Sequence, residues 1–221
     1  MGKKIVILGT AHGVNVSGKC SPDKRFREYK YSRDVIKQLK AELESQGFMV
    51  FVDIESDEVP SKQSVELAER CSIVNKLCRE YGAGNCVYVS VHVNAAGCDG
   101  KWRSAGGWCA YTSRGRTKAD TLATKLYEAA QVCLNDYANS MIEGKKTGIY
   151  DSKQKSFRTD YSDGDADLER NFYVLAHTLC PAVLTENLFQ DNKADVAFLE
   201  SAKGRMAIVE LHRKGIVSYF E

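Results

Sequence analysis

Four side chains of this sequence are placed to do chemistry together. His12 lies in the turn Ala11-His12-Gly13 after an apolar run, and Glu28 opens an amphipathic segment. His92 closes the β-branched and aromatic run Val87-Tyr88-Val89-Ser90-Val91-His92, and Glu186 ends Pro181-Ala182-Val183-Leu184-Thr185. Each falls at the edge of a secondary-structure segment, where α/β proteins gather their sites in the crevice beyond the carboxyl ends of the strands. Two imidazoles and a carboxylate form the ligand set of a catalytic zinc, which keeps one position open for water, whereas structural zinc is closed by four ligands, usually thiolates. Such a zinc lowers the pKa of its water to about 7 and polarises a carbonyl, as amide hydrolysis requires near neutral pH. A further carboxylate, free of the metal, must take the proton from the water and pass it to the leaving amine. His12, Glu28 and His92 are read as the metal ligands and Glu186 as the general base and acid.

Singly, these residues have structural explanations. A histidine after a strand is often a satisfied loop residue, and a first-turn glutamate is favoured by the helix dipole. Glu186 is the hardest to explain that way, because a carboxylate in an apolar strand is costly without a role or a partner. The other two histidines, His177 near the end of one helical segment and His212 in the polar pattern of another, read as structural.

The elements that must position the four alternate along the chain. Residues 4–9 form a nearly continuous apolar run of strand length, as expected where both faces are covered. Residues 28–46 read as a helix, with Val35, Leu39 and Leu43 at four-residue intervals and Gly47 as its stop. A strand over 48–53, a helix over 62–81 capped by Ser61, and the His92 strand follow. This alternation predicts a three-layer α/β fold with a mostly parallel, twisted central sheet and helices on both faces. Residues 105–111 are expected to add a short strand at the sheet edge, antiparallel if a turn joins it to its neighbour. Helices are predicted over 117–138, 168–178 and 195–219, with a strand over 181–185. The polar stretch 145–167 reads as a long loop that is functional or mobile. Its Asp163, Asp165 and Asp167 do not make an EF-hand, since Leu168 and Val174 stand where glycine and glutamate are required. They are expected to start the following helix.

Composition narrows the classes. With 221 residues and 43% hydrophobic residues the chain suits one globular domain over residues 1–221. A formal charge of +2 without long runs of like charge proposes no nucleic acid as partner. No segment approaches transmembrane length, so membrane insertion is not expected. The eight cysteines contain no Cys-x-x-Cys pair and read as reduced, scattered small hydrophobes. The amino terminus carries two lysines before an apolar run too short for a signal-peptide core. The expectation is a monomer, cytoplasmic when made, or a chain whose leader has been removed.

The motifs Ile7-Leu8-Gly9-Thr10-Ala11-His12-Gly13, Ser90-Val91-His92-Val93-Asn94-Ala95 and Pro181-Ala182-Val183-Leu184-Thr185-Glu186-Asn187-Leu188-Phe189-Gln190-Asp191-Asn192 resemble the zinc-dependent N-acetylmuramoyl-L-alanine amidases. So do Glu28 before a helix, Arg70 with Asn75, and the Gly106-Gly107 strand. The resemblance runs in order over nearly the whole chain. It implies one zinc held by His12, Glu28 and His92, with Glu186 as the catalytic carboxylate. The implied reaction cleaves the amide between the lactyl carbonyl of N-acetylmuramic acid and L-alanine in peptidoglycan. Muramyl peptides become the expected partners, and a phage or prophage endolysin acting on the wall after release fits the chain. Asn94 would border the site and orient substrate or His92, or shape a turn. Arg70 and Asn75 look like framework.

Thr10 departs from the family pattern, standing where an acid is common and removing a possible partner of His12. Two other amide or peptide chemistries and one binding role compete with the amidase. A zinc peptidase acting on stem peptides would use the same site, and a non-catalytic wall-binding module would keep the fold. A thiol enzyme built on Cys98 would need a paired base that no spacing supplies.

Overall fold

Alternating side chains along β1 (Ile5–Thr10) divide the protein into its layers. Val6 and Leu8 enter one apolar core while Ile5 and Ile7 enter another, as the two-residue period of a strand covered on both faces requires. The structure is a computed structural model and describes residues 4–221. Residues 1–3, which open the stretch read against a signal peptide, lie outside the described residues.

After β1 come α1 (Glu28–Ser45), β2 (Met49–Val52), α2 (Gln63–Tyr81), β3 (Cys86–Asn94) and β4 (Cys109–Thr112). Then follow α3 (Lys118–Cys133), α4 (Asn135–Lys146), β5 (Leu168–Glu169), α5 (Tyr173–Ala176), β6 (Ala182–Phe189), α6 (Lys193–Glu200) and α7 (Ala202–Phe220). The strands make one sheet in the order β2-β1-β3-β6-β4-β5. β2, β1, β3 and β6 run parallel, and β4 pairs antiparallel to β6. One face is covered by α1, α3 and α7 through Leu39, Leu126 and Ile208, and the other by α2 and α5 through Val74 and Leu175. This is the three-layer α/β architecture expected from the alternation. Among the described residues no helix is long and apolar enough to cross a membrane.

Several local expectations differ from what is observed. β4 is not the outermost strand, because the fourteen-residue path between Asn94 and Cys109 carries it past β6, where the two-residue β5 pairs outside it. Residues 168–178 are not one helix: Leu168 and Glu169 pair with β4, Arg170 N–H donates to Thr112 O at 2.8 Å, and only Tyr173–Ala176 is helical. Asp163, Asp165 and Asp167 therefore lead into a strand. Ser61 does not cap α2, which begins after Lys62 without a side-chain cap. The 117–138 helix breaks at Leu134 into α3 and α4. His212 is completely buried rather than on a polar face, bonded to Thr185 Oγ1 at 2.9 Å and Ile208 O at 2.7 Å.

Two buried polar clusters tie the layers together. Beyond β2, Asp53 Oδ2 accepts from Arg70 Nη1 at 2.6 Å and from Tyr88 Oη at 2.9 Å, while Glu66 Oε1 accepts from Arg70 Nη2 at 3.0 Å. Thr10 commits its hydroxyl here, donating to Ile54 O at 2.8 Å. Removing one partner leaves uncompensated buried charge, so Arg70→Met is expected to lower stability by about 3 kcal/mol. A urea midpoint within error of the wild type would refute the cluster's role.

The second cluster pins the long loop to β4. Asp167 is buried, its Oδ2 accepting from Thr112 Oγ1 at 2.5 Å, while Asp167 Oδ1 and Asp165 Oδ1 are sealed from solvent without a protein partner. Burial, together with the neighbouring Asp165, pushes the Asp167 carboxyl up to about 7. The folded chain therefore holds a proton that the unfolded chain has released, and stability is lost as pH rises from the ordinary aspartate range through about 7. Asp167→Asn supplies a permanent neutral group, and is expected to remove about 1 kcal/mol of that pH dependence. Thermal melts at pH 5 and pH 8 would measure it, and an unchanged slope would count against the shared proton.

Candidate metal centre

The sheet brings His92 and Glu186 together directly. They are register partners on the adjacent parallel strands β3 and β6, and neighbouring strands lie about 4.8 Å apart. Both fall on the same strand face as Tyr88 and Leu184, beneath α2 and α5. β3 carries an irregularity between His92 and Asn94, a local change of twist of the kind that aims side chains at strand ends.

Glu28 arrives from the other side of the sheet at the first turn of α1. Its Oε1 lies 3.1 Å from His92 Nδ1 and accepts the Val93 N–H at 3.1 Å. Its Oε2 lies 3.6 Å from His12 Nε2. Ligand atoms of His12, Glu28 and His92 all fall within 4.8 Å of one another, a cluster that could hold a metal ion. The two imidazoles meet edge-on with ring centroids 5.2 Å apart.

Several residues that sequence reasoning left out hold this geometry. Ser90 Oγ lies 3.1 Å from His92 Nε2, fixing the ring from its second nitrogen. Ser90 is two positions before His92 on the same strand face, so the alternation carried that signal. Ser32, one turn after Glu28, accepts the Ala11 N–H at 2.9 Å and donates to Val91 O at 2.7 Å, bolting the His12 turn and β3 to α1. Asn187 Nδ2 donates to His92 O at 2.9 Å, and its Oδ1 accepts from Trp108 Nε1 at 2.8 Å. Arg33 had no sequence signal. Its guanidinium donates to the carbonyls of Ala11 at 3.1 Å and His12 at 3.0 Å. His12 needs that support, because its φ of 46° lies in the left-handed region, which costs a non-glycine residue about 1–3 kcal/mol.

A cavity of about 220 Å³ opens on the cluster and is lined by His12, Lys19, Leu67, His92, Phe172 and Glu186 among others. Asn94 is not part of that lining; its Oδ1 accepts the Ala95 N–H at 2.8 Å in the turn that leaves β3. Arg70 also lines the cavity, and Asn75 bonds His177 O and the Leu179 N–H, both at 2.8 Å, joining α2 to the β6 approach. Cys98 is exposed and lines a different cavity. The cysteine beside the cluster is Cys109, the β4 register partner of Glu186, and burial pushes its thiol up to about 12. A thiol so protonated is no nucleophile.

Electrostatics divides the two glutamates. Burial alone would raise Glu28, but the hydrogen bond with His92, the fields of both histidines and the Val93 N–H outweigh it and hold the carboxyl below its ordinary range. Burial pushes the His12 imidazole down to about 3, keeping it neutral as metal coordination requires. Glu186 moves the other way, raised well above the ordinary value by burial and then by the charge of Glu28. One of its oxygens, Oε2, is sealed from solvent and has no partner. Two imidazoles and an ionised carboxylate fit a divalent metal of intermediate softness, with an unpartnered carboxyl group beside them fit to hold or release a proton.

A sheet with four parallel strands, with a His-Glu-His cluster that could hold a metal ion near their carboxyl ends and a raised carboxyl beside it, defines an α/β protein with a candidate metal centre. Residues 6–218 match the model of the N-acetylmuramoyl-L-alanine amidase family, and the chain belongs to that family. An endolysin of Bacillus phage SPP1 is 32% identical over 213 residues, which is 96% of this chain and 65% of that protein. The chain thus spans just under two thirds of that relative's length. Among solved structures, an N-acetylmuramoyl-L-alanine amidase from Clostridium difficile 630 superposes with a TM-score of 0.73 at 20% identity, covering 100% of this chain and 98% of its own. The catalytic domain of CwlV, an N-acetylmuramoyl-L-alanine amidase from Bacillus (Paenibacillus) polymyxa var. colistinus, gives 0.69 at 20% identity with 98% of both chains covered. The catalytic domain of the CD27L endolysin, targeting Clostridia difficile, gives 0.65 at 16% identity with 97% of both covered. These structural likenesses share the fold described above.

Proposed function

We propose that the chain is a zinc-dependent amidase that hydrolyses the bond between the lactyl carbonyl of N-acetylmuramic acid and L-alanine in peptidoglycan. The observation that carries this reading is the convergence of the His12, Glu28 and His92 ligand atoms within 4.8 Å, with Glu186 as the register neighbour of His92. Membership of the amidase family supports the choice of bond. Residues 1–221 act as one catalytic domain, functioning as a monomer that reaches the wall after release from the cell in which it is made.

His12 and His92 offer imidazole nitrogens and Glu28 a carboxylate oxygen to the zinc. When bound, zinc supplies Lewis acidity, acidifying a water molecule and polarising the scissile carbonyl. Glu28 also keeps His92 and the Val93 amide in register, so the ligand set and the end of β3 are fixed together. Glu186, with its raised affinity for protons, accepts one from the attacking water at a carboxylate oxygen and returns it to the alanine nitrogen as the amide breaks. The apolar wall of Leu67, Phe172 and Val174 excludes water around the reacting groups, which strengthens each of these electrostatic effects. Asn94 shapes the rim rather than touching the reacting bond.

Mass spectrometry of products from purified peptidoglycan tests the reading. Stem peptides with a free L-alanine amino terminus are expected, and chelation followed by zinc restoration should abolish and return them. Cleavage within the stem would replace the amidase with a zinc peptidase. Tight zinc binding with no product from any substrate would leave a wall-binding module.

A further inference from the structure

The cavity over the metal cluster contains a cation that the reaction above does not use. Lys19 is half-buried and lines the cavity with His12, His92 and Glu186. Among the described residues its ammonium forms no ion pair, although Glu186 shares the cavity lining. The placement is not that of a loose surface side chain. Lys19 O accepts the Glu28 N–H at 3.1 Å, Cys20 bridges Arg27, and Ser21 N–H donates to Phe26 O at 3.0 Å, so the loop is stapled to the amino end of α1. Its charge reaches both His12 and Glu186. A half-buried ammonium without a protein counter-charge, at the wall of the cavity, is free to meet an anionic group of the substrate.

The substrate's chemistry says which anion that is. On the sugar side of the scissile bond the lactyl carboxyl is itself tied up in the amide. On the peptide side alanine carries only a methyl group, suited to the Leu67, Phe172 and Val174 wall. The second stem residue is a glutamate linked onward through its side-chain carboxyl, which leaves its α-carboxyl free unless the cell amidates it. An extended peptide advances about 3.4 Å per residue, so that carboxylate lies about 7 Å from the scissile nitrogen, nearer to it than any acid further along the stem.

Resting on the amidase reading, we propose that Lys19 is a specificity-determining residue that binds the free α-carboxylate of the second stem residue, so that the enzyme prefers unamidated stems. Arg158, the other cation whose field reaches Glu186, does not serve: it stacks on Phe189 with its guanidinium 5.2 Å from the ring centre and is not in the cavity lining.

The test uses the zinc-loaded chain and two disaccharide pentapeptides that differ only in a carboxylate or a carboxamide at that position. The wild type is expected to show a kcat/KM about tenfold to hundredfold higher for the acid, the range of one charge-assisted hydrogen bond. Lys19→Met should bring the ratio to about one, whatever it does to the rate common to both substrates, Lys19→Arg should keep it, and Arg158→Gln should leave it intact. Calorimetric binding of the same pair to Glu186→Gln reads the preference without turnover. Equal wild-type use of both substrates, an unchanged ratio in Lys19→Met, or a preference that disappears in Arg158→Gln would overturn the proposal. Those results with cleavage still at the muramoyl–alanine bond would leave the amidase standing, whereas cleavage at another bond would overturn both.

Discussion

Glu186→Gln is expected to lower turnover roughly 10⁴-fold, the upper range for loss of a positioned general acid–base, while leaving metal content and folding unchanged. Glutamine keeps the size and one carbonyl acceptor of glutamate but cannot carry a proton. Oε2 of Glu186 has no hydrogen-bond partner to lose, and burial together with the charge of Glu28 already makes ionisation unfavourable. A neutral amide at this place relieves that penalty, so the variant's melting temperature should equal or exceed the wild type's, as at other sites where function strains stability. Steady-state turnover of muramyl peptides, zinc analysis and a thermal melt on one preparation would check all three. Retained activity above a few per cent of wild type would remove Glu186 from the chemistry. Lost zinc would instead make it a ligand.

His92→Ala is the complementary case, with activity expected to fall about 10³-fold or more as a preorganised electrostatic stabiliser is lost, and with zinc lost at the same time. His92 is the hub of the cluster, facing Glu28 from Nδ1 and Ser90 from Nε2, so its removal takes one ligand and frees one oxygen of the carboxylate that it shares with His12. Ser90→Ala tests the same ring more gently. Loss of such an orienting partner lowers metal affinity by about 10- to 100-fold, and activity should return at high zinc. Zinc stoichiometry after dialysis distinguishes the pair. Full zinc occupancy in His92→Ala would require a different ligand set.

These two variants separate roles that the geometry brings within one cavity. Glu28 and Glu186 are chemically identical and close enough for the charge of one to raise the other. The former is held ionised by two histidines and a backbone amide, while the latter is left without a partner on Oε2 and has its affinity for a proton raised by burial and by the charge of Glu28. Such opposed environments suit the ligand and the acid–base roles proposed for them.

Periodicity made much of the fold legible. The nearly continuous apolar run of residues 4–9 and the four-residue spacing of Val35, Leu39 and Leu43 are local patterns written by burial, and β1 and α1 follow them to within a residue. The candidate cluster was legible for a related reason, since polar residues that end apolar strands have few structural explanations. Local pattern failed where long-range pairing claimed the backbone. Residues 168–170 form a strand because β4 arrives to bond them, and the place of β4 beyond β6 depends on a crossing that no short window contains.

The sequence by itself singled out the residues proposed to bear chemistry and set them at or near the edges of strands and of one helix. Tertiary structure alone decided which of them meet and in what state of charge. The register between β3 and β6 sets Glu186 beside His92, and Arg33 holds the strained His12 turn from a helix twenty-one residues away. Burial and neighbouring charge then shift the proton affinities of two glutamates that read alike in the chain in opposite directions, because a carboxyl's proton affinity is fixed by its surroundings and not by its type.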